Sequence, residues 1–407
     1  MPTPAFISAL KSDRCIHYLN NTLVNRAQAI DVNANVPSSV IDELGNANHA
    51  GIVTDPADIS FRVSALDTGL DLTKAITGKA SATSFTLPDF VGSSVDYVGV
   101  VRDNAGNFFR SVYIRGSNVD SIAFNYDTNG NATEVYDFVA DNLTVFDGYV
   151  LTKTYTITAT DVTNTYFILP IQGSEAPLQT KTNSYFNGSY LLRAMRTRDG
   201  ITMDMVEGND YTYTSATKRI TASGLTAGDV WTLVFYSAVI GTTLSPTFNS
   251  TAPAAVRGAY TPLSIGLTTK TWIPRLQSAG FGVDFKRERV KQLGSSQVLY
   301  TPGSIPAIAG SFSVLMNDLA LKKLLTYGST TANETQFGIE QLPAYGAQNN
   351  LGLEVVIKSP INNSVLKRIT VADIVTGTSG MPATVNGTLT ESYNWTGRSG
   401  ALTITNS

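Results

Sequence analysis

Chemistry that depends on imidazole or thiol has little to work with in this chain: two histidines, His17 and His49, and one cysteine, Cys15. A histidine-based zinc site would have to be assembled from almost nothing, since neither HExxH nor HxH occurs. A Ser–His–Asp triad would have to use His17 or His49, and each reads as a surface or partly packed residue. No GxSxG elbow, P-loop or GxGxxG occurs; AGFGVD (279–284) has two glycines but lacks the third and the following helix. One cysteine permits neither an intramolecular disulfide nor a thiolate cage. DTNGNATE (127–134) spaces Asp127, Asn129, Asn131 and Glu134 loosely like a calcium loop. Its glycine, however, is at the fourth position rather than the sixth, and a plain hairpin turn accounts for it. The expectation is a protein that is not an enzyme, with no catalytic residues, no cofactor and no metal.

Charge is dense in one place only, DFKRERVKQLGSSQ (284–297). In a strand, alternation would put Phe285, Arg287, Arg289 and Lys291 on one face and Lys286, Glu288, Val290 and Gln292 on the other. Such a run reads either as a solvated edge strand, whose charges discourage pairing, or as an interface that meets an acidic neighbour. Earlier in the chain VPSSVIDELGNA (36–47) has Asp42 and Glu43 where this run has Lys291 and Gln292. That correspondence depends on a repeat.

The repeat is visible in NGNATEVYDF (129–138) and NGTLTESYNW (386–395), which agree at five of ten positions, 257 residues apart. At the same offset Val98 pairs with Val355, and Phe108-Phe109-Arg110 with Val365-Leu366-Lys367. SFRV (60–63) pairs with SFSV (311–314) at offset 251, taking Asp67 to Asp318 and Leu70 to Leu321. Leu44-Gly45 pairs with Leu293-Gly294 at offset 249. Order and spacing agree, so a domain is duplicated. Each copy is expected to contain a long strand (27–44; 278–293), a Gly/Pro-rich loop (45–58; 294–310) and an apolar strand (59–66; 311–316). One helix (68–77; 318–327), a hairpin (94–116; 351–374) and a closing strand (131–146; 388–405) follow. Glu134 and Glu391 then sit at matching places, either as rim carboxylates or as ion-pair partners repeated around a ring.

The domains expected are therefore 1–147 and 256–407, with a third segment, 148–255, between them. That segment reads as successive hairpins in a small β-sandwich that folds independently, and 245–262 as a linker. Period-two runs such as TKTYTITA (153–160) make the whole chain mainly β. Charged residues are 15% and hydrophobic ones 43%, which argues against disorder, and a net charge of −3 is the wrong sign for a protein that coats nucleic acid. The first residues lack a signal-peptide pattern and no run approaches 18 apolar residues, so the expectation is a soluble protein made in a reducing compartment.

The order of a long strand, Gly/Pro-rich loop, SF-V strand, short helix and Tyr/Trp-alternating strand ending in Gly397-Arg398-Ser399-Gly400 resembles the tail tube (major tail) protein of tailed bacteriophages. The duplication looks like those tubes in which one chain carries two tube domains. The resemblance covers 1–147 and 256–407, and the middle segment is similar to the immunoglobulin-like modules such proteins carry outside. It implies two tandem tube-type β-sandwich or barrel domains, each with one helix, plus the inserted module. It implies a virion protein, made in the host cytoplasm, that forms homotrimeric, pseudo-hexameric rings stacked into a tube. Tail initiator, tape measure and tail terminator proteins would be its partners, and double-stranded DNA would pass through the lumen without specific binding. Candidate interface residues are Asp42, Glu43, Glu134, Lys286, Arg287, Arg289, Lys291 and Glu391. Two other readings remain: a virion adhesin or decoration protein that binds glycans, and a polysaccharide-degrading tail enzyme.

Overall fold

The computed structural model describes residues 15–36, 38–41, 51–54, 57–102, 108–140, 142–146, 149–171, 191–237, 253–267, 269–291, 298–303, 305–315, 320–327, 351–380, 389–398 and 401–406. The chain is mainly β, and among these residues no sheet closes into a barrel. It divides into two compact units: Met1–Leu23, Asp96–Arg115 and Leu143–Thr247 form one; Val24–Val95, Gly116–Asn142 and Phe248–Ser407 form the other.

The larger unit is built on antiparallel strands in the order Ala27–Asn35, Asp58–Leu66, Thr133–Ala140, the second half of Phe108–Asp127, Leu276–Asp284, Ala307–Leu315, Thr390–Gly397, Ile374–Gly380. The first four belong to the first copy and the last four to the second, in the same internal order. Irregularities repeat as well. Arg26 and Arg275 both have positive φ (57° and 60°), as do Gly116 and Asp373 (61° and 58°). A bulge skips Asp120 opposite Asp137/Phe138, and its counterpart skips Gly377 opposite Asn394/Trp395. Bulges are built-in features of a strand, so their recurrence at one offset is strong support for duplication.

The register corrects one alignment. Tyr136 faces Val63 and Tyr393 faces Phe312; Phe138 faces Phe61 and Trp395 faces Gly310. Asp58–Leu66 therefore matches Ala307–Leu315 at offset 249, not 251. A two-residue slip keeps every side chain on its own face, so alternation alone does not detect it. Ile59, Phe61, Val63 and Ala65 are buried while Asp58, Ser60 and Arg62 are exposed. Phe61 stacks on Phe138 at 4.3 Å between centroids. In the second copy Trp395 takes the larger share of that space: a Cβ on Gly310 would lie 2.6 Å from its Cζ2.

Other expectations change in detail. Each long strand breaks after its first nine residues (Ala27–Asn35, Leu276–Asp284); the second does so at Phe285–Lys286, where Lys286 has φ +48°. The continuations Ser38–Ile41 and Arg287–Lys291 pair with Gly51–Thr54 and Val298–Pro302. The supposed loops thus supply the return strands of hairpins, because β-formers such as Ile52, Val53, Val298 and Tyr300 outweigh the neighbouring Gly and Pro. Helices Asp71–Thr77 and Ala320–Tyr327 occupy the expected places, but the first copy has a second one, Leu87–Val91, with a Thr86/Asp89 capping box and Pro88 in its first turn. Gly69 (φ +152°) precedes its helix and does not weaken it.

A second sheet in this unit runs Lys270–Trp272, Leu263–Gly266, Gly352–Lys358, Val365–Val371, Leu402–Thr405, Ser84–Thr86. Its last strand comes from the first copy, so the copies are interlocked. The end of the proposed linker is packed too: Val256 is buried, and its carbonyl accepts from the Ala132 N–H at 2.7 Å.

In the smaller unit, Tyr149–Thr156, Val230–Ser237, Leu191–Arg198 and Ile201–Met205 form one sheet, and Tyr166–Ile168, Arg219–Ala222 and Tyr211–Thr214 another. They enclose Phe167, Tyr211, Trp231 and Phe235. A second cluster joins Val150, Leu192 and Val234 to Ile16, Val98, Val100 and Tyr113 of the first copy. Buried Arg193 pairs with Asp96 there, and Tyr113 donates to the same carboxylate at 3.1 Å. The middle segment therefore shares a core with the first copy instead of folding by itself.

Candidate assembly interface

The most informative place in the larger unit is where one copy ends and the other begins. Strand Leu276–Asp284 pairs with the second half of Phe108–Asp127, from Ser278 opposite Asp127 to Asp284 opposite Ser121. Alternation sends Ile122, Phe124 and Tyr126 inward from one side, and Ala279, Phe281 and Val283 from the other; all are buried. Phe281 lies 5.2 Å from Phe124 and 6.2 Å from Tyr126. Gly282 permits this approach, since a Cβ there would fall 2.7 Å from the Ile122 carbonyl oxygen. The basic segment extends the contact. Arg287 donates from Nε to the Val119 carbonyl (2.9 Å) and from Nη2 to that of Val91 (3.0 Å), and Arg289 donates to the Ala57 carbonyl (3.1 Å).

Behind the junction lies a buried ion cluster. Lys367, on strand Val365–Val371 of the second copy, points its Nζ at two carboxylates of the first: Asp67 Oδ1 at 3.0 Å and Glu134 Oε2 at 2.8 Å. All three side chains are almost completely shielded from water. Tyr126 donates to Asp67 Oδ2 (3.0 Å), Tyr136 donates to Glu134 Oε2 (3.2 Å), and Thr73 Oγ1 lies 3.2 Å from the Tyr136 hydroxyl. The ammonium also sits 4.8 Å from the centre of the Phe124 ring. One ammonium thus serves two carboxylates. Burial, with the Asp67 charge beside it, pushes the Glu134 carboxyl up to about 7 in spite of Lys367. Burial works against the Lys367 charge, but Asp67 and Glu134 outweigh it and hold the lysine above its ordinary value.

The second copy keeps half of this arrangement. Tyr393 donates to Glu391 Oε2 at 2.7 Å, as Tyr136 does to Glu134. Lys322 Nζ lies 3.0 Å from the other oxygen, Oε1, but out of hydrogen-bond alignment, so buried Oε1 accepts no hydrogen bond. Lys322 is the third residue of its helix, the place Thr73 holds in the first copy.

The two outermost strands, Ala27–Asn35 and Ile374–Gly380, are paired on one side only among the described residues. Ala279, Phe281 and Val283 are 5%, 5% and 2% exposed at the internal junction. Their counterparts in the first copy stand open: Ile30 and Val32 are half-buried and Ala34 is exposed.

Of the residues singled out from sequence, Asp42 and Glu43 lie outside the described residues, and with them the proposed acidic match to Lys291. Lys291 ends a hairpin strand opposite Val298. Lys286 forms a bend, its N–H donating to Asp284 Oδ1 at 2.7 Å. Arg287 and Arg289 bind the first copy of their own chain. Glu134 and Glu391, read as wet rim carboxylates or ring ion pairs, are both buried in the interior. Sequence reasoning missed Lys367, Asp67 and the strand over 117–127. The Ile122-Phe124-Tyr126 alternation signalled that strand, and Lys367 on the strand face it shares with Ile369 and Val371 signalled the cluster. His17 is half-buried, with Nδ1 2.9 Å from the Tyr97 hydroxyl, and burial lowers it to about 4, keeping the ring neutral near pH 7. DTNGNATE is a hairpin turn in which Asp127 Oδ1 accepts from the Asn129 N–H at 2.9 Å, and no metal-ligand cluster occurs among the described residues.

No family of known proteins matches the chain, and no curated protein does. Among solved structures it is similar to a chain in "Cryo-EM structure of the anti-feeding prophage (AFP) baseplate, 6-fold symmetrised", at 12% identity and a TM-score of 0.25, over 36% of this chain and 97% of that one. At that score the likeness decides neither fold nor role.

Proposed function

We propose that this chain is a structural subunit of a phage tail tube, assembling as stacked trimeric, pseudo-hexameric rings around a DNA conduit. One observation carries the reading: two copies of one four-stranded sheet are joined edge to edge in the same order, and among the described residues both outer edges are left for further joining. Repeating the internal junction between chains would set Ile374–Gly380 of one subunit against Ala27–Asn35 of the next. A head-to-tail contact of this kind gives a closed ring or an open helix, and closure removes every exposed edge. Three chains would supply the six half-sheets that the resemblance to tube proteins calls for. Tail initiator, tape measure and terminator proteins would then cap and gauge the tube. The test is electron microscopy of the purified full chain over a range of concentrations. Rings or tubes with three-fold symmetry are expected; true six-fold rings of the full chain, or no assembly at any concentration, would refute the reading.

A glycan-binding virion role is the second reading. It is favoured by a cleft of about 700 Å³ lined by Tyr260, Trp272, Arg275, Glu354 and Arg368, with Trp272 60% exposed. Binding of host-surface glycans by a chain that stays monomeric would support it.

A further inference from the structure

We infer that neighbouring subunits keep the register of the internal junction, so that Asn33, Ala34 and Asn35 of one chain face Gly380, Ser379 and Thr378 of the next; the inference rests on the ring reading above.

Both edges belong to the larger unit, and both carry marks that fix their alignment. On the first-copy edge, Arg26 matches Arg275 in positive φ (57° and 60°). The Gln28 side chain donates to the Arg26 and Ala27 carbonyls, as Gln277 does to those of Arg275 and Leu276. The ladder shifts between Ala27 and Ala29 in one copy and between Leu276 and Ser278 in the other. Ala27–Asn35 therefore matches Leu276–Asp284 residue by residue. On the second-copy edge, the Gly116/Asp373 backbone and the Asp120/Gly377 bulge set the alignment. Inside the chain Gly282 faces Ala123, Val283 faces Ile122 and Asp284 faces Ser121. The same pairing between chains brings Asn33 to Gly380, Ala34 to Ser379 and Asn35 to Thr378.

Two details favour this register over a slipped one. Just past the paired residues, the Phe285 N–H donates to the Asp120 carbonyl at 3.0 Å, and Phe285 is fully buried. Its counterpart Val36 is 57% exposed, and only in this register does it reach the bulge at Gly377, the counterpart of Asp120. The second detail is a glycine that changes sides. Gly282 is required in the internal junction, since a Cβ there would fall 2.7 Å from the Ile122 carbonyl oxygen. Asn33 has that place in the first copy, so a strict repeat would press its Cβ against the Ser379 carbonyl. The facing strand supplies the remedy. Gly380 stands where the first copy has Ala123 and directly follows that carbonyl, and glycine's free φ lets the peptide turn aside. A Cβ on Gly380 would meet nothing within 4 Å among the described residues, so no crowding inside the subunit calls for glycine there.

The test is disulfide trapping in the full chain carrying Cys15→Ser. At a concentration where it assembles, Ala34→Cys/Ser379→Cys is expected to give crosslinked dimers and trimers on mild oxidation. Ala34 is exposed and Ser379→Cys exchanges a single atom, so both substitutions keep the fold. Val32→Cys/Ser379→Cys, which reports a two-residue slip, should stay uncrosslinked, because diagonal neighbours lie about 7–8 Å apart, beyond disulfide reach. Separately, Gly380→Ala should raise the concentration at which light scattering detects assembly. Adding Asn33→Gly, which rebuilds the Gly282/Ala123 pairing, should lower it again. Assembly in which the Val32 pair crosslinks or neither pair does, or in which Gly380→Ala has no effect or is not rescued, would overturn the register and leave the ring reading standing. A wild-type chain that stays monomeric at every concentration would overturn both.

Discussion

Replacing Lys367 by methionine keeps most of the side chain's length and removes its charge, leaving Asp67 and Glu134 buried a short distance apart. Taking one partner from a buried ion pair costs about 3–5 kcal/mol, because the remaining charge is neither hydrated nor paired. Here two carboxylates lose a common partner, with contacts of 3.0 and 2.8 Å, so the upper part of that range applies above pH 7. The loss shrinks as pH falls, since the Glu134 carboxyl, already at about 7 with Lys367 beside it, moves further up when that charge is gone and takes a proton to become neutral. A loss of this size compares with the whole stability of a typical domain, roughly 5–15 kcal/mol. The assay is hydrogen exchange by mass spectrometry as a function of urea, following peptides over 121–127 and 278–284, which report on the junction itself. The expected result is that Lys367→Met moves their unfolding midpoint down by several kcal/mol at pH 8 and by less at pH 5. A Lys367→Met/Asp67→Asn/Glu134→Gln variant should regain most of the loss, because neutral groups of similar shape need no counter-ion. A single variant that costs under about 1 kcal/mol, or a triple variant that is no better, would refute the view that this cluster ties the copies together.

Two further outcomes follow from the same structure. With Glu134 raised from an ordinary 4.5 to about 7, the folded chain holds a proton that the unfolded chain has released across that window. The stability this contributes is present below about pH 4.5 and is lost as pH rises through 7, on the order of 3 kcal/mol at 1.36 kcal/mol per unit. Glu134→Gln should flatten that slope in urea titrations at pH 5, 6, 7 and 8, and an unchanged slope would assign it elsewhere. Second, removing 149–237 with a short Gly/Ser bridge should not leave a well-behaved chain. It strips Val150, Leu192 and Val234 from Ile16, Val98, Val100 and Tyr113, and takes Arg193 from Asp96. Aggregation or a much lower melting temperature is expected, and a deletion variant that melts like the full chain would show that the shared core is dispensable.

Much of the architecture was legible because strands declare themselves by alternation. Ile59-Phe61-Val63-Ala65 and Tyr393-Trp395 have the period of a half-buried strand whatever lies around them. The duplication was legible because Asn, Gly, Thr, Glu and Tyr recur at one spacing near 129 and 386. Partnership was not legible. Strand 117–127 pairs with a strand more than 150 residues later in the chain, and nothing local in SNVDSIAFNYD names that partner. Lys367 reads as a surface lysine because its two carboxylates are contributed by Asp67 and Glu134, far back in the other copy. The two-residue slip that matched Asp67 with Asp318 had the same origin, since it preserved every face. The sharing of a core between the middle segment and the first copy escaped notice because both sides have complete strand patterns of their own.

If chains join as proposed, the copies differ at a place where joining inside a chain would differ from joining between chains. A tether keeps the internal junction at high effective concentration, so it can carry a buried cluster in which two carboxyl groups share one ammonium and one of them is raised to about 7. A junction between separate chains has no tether, and an uncompensated buried charge would weaken it directly. The corresponding place in the second copy shows the change this argument demands: Lys322 stands where the first copy has Thr73, giving Glu391 a counter-charge before any neighbour arrives. In the proposed ring, the apolar edge at Ile30, Val32 and Ala34 would then supply the attraction by burial. Two identical domains on separate chains would need one surface to meet both requirements. Fusing them lets each junction be built for the way it forms.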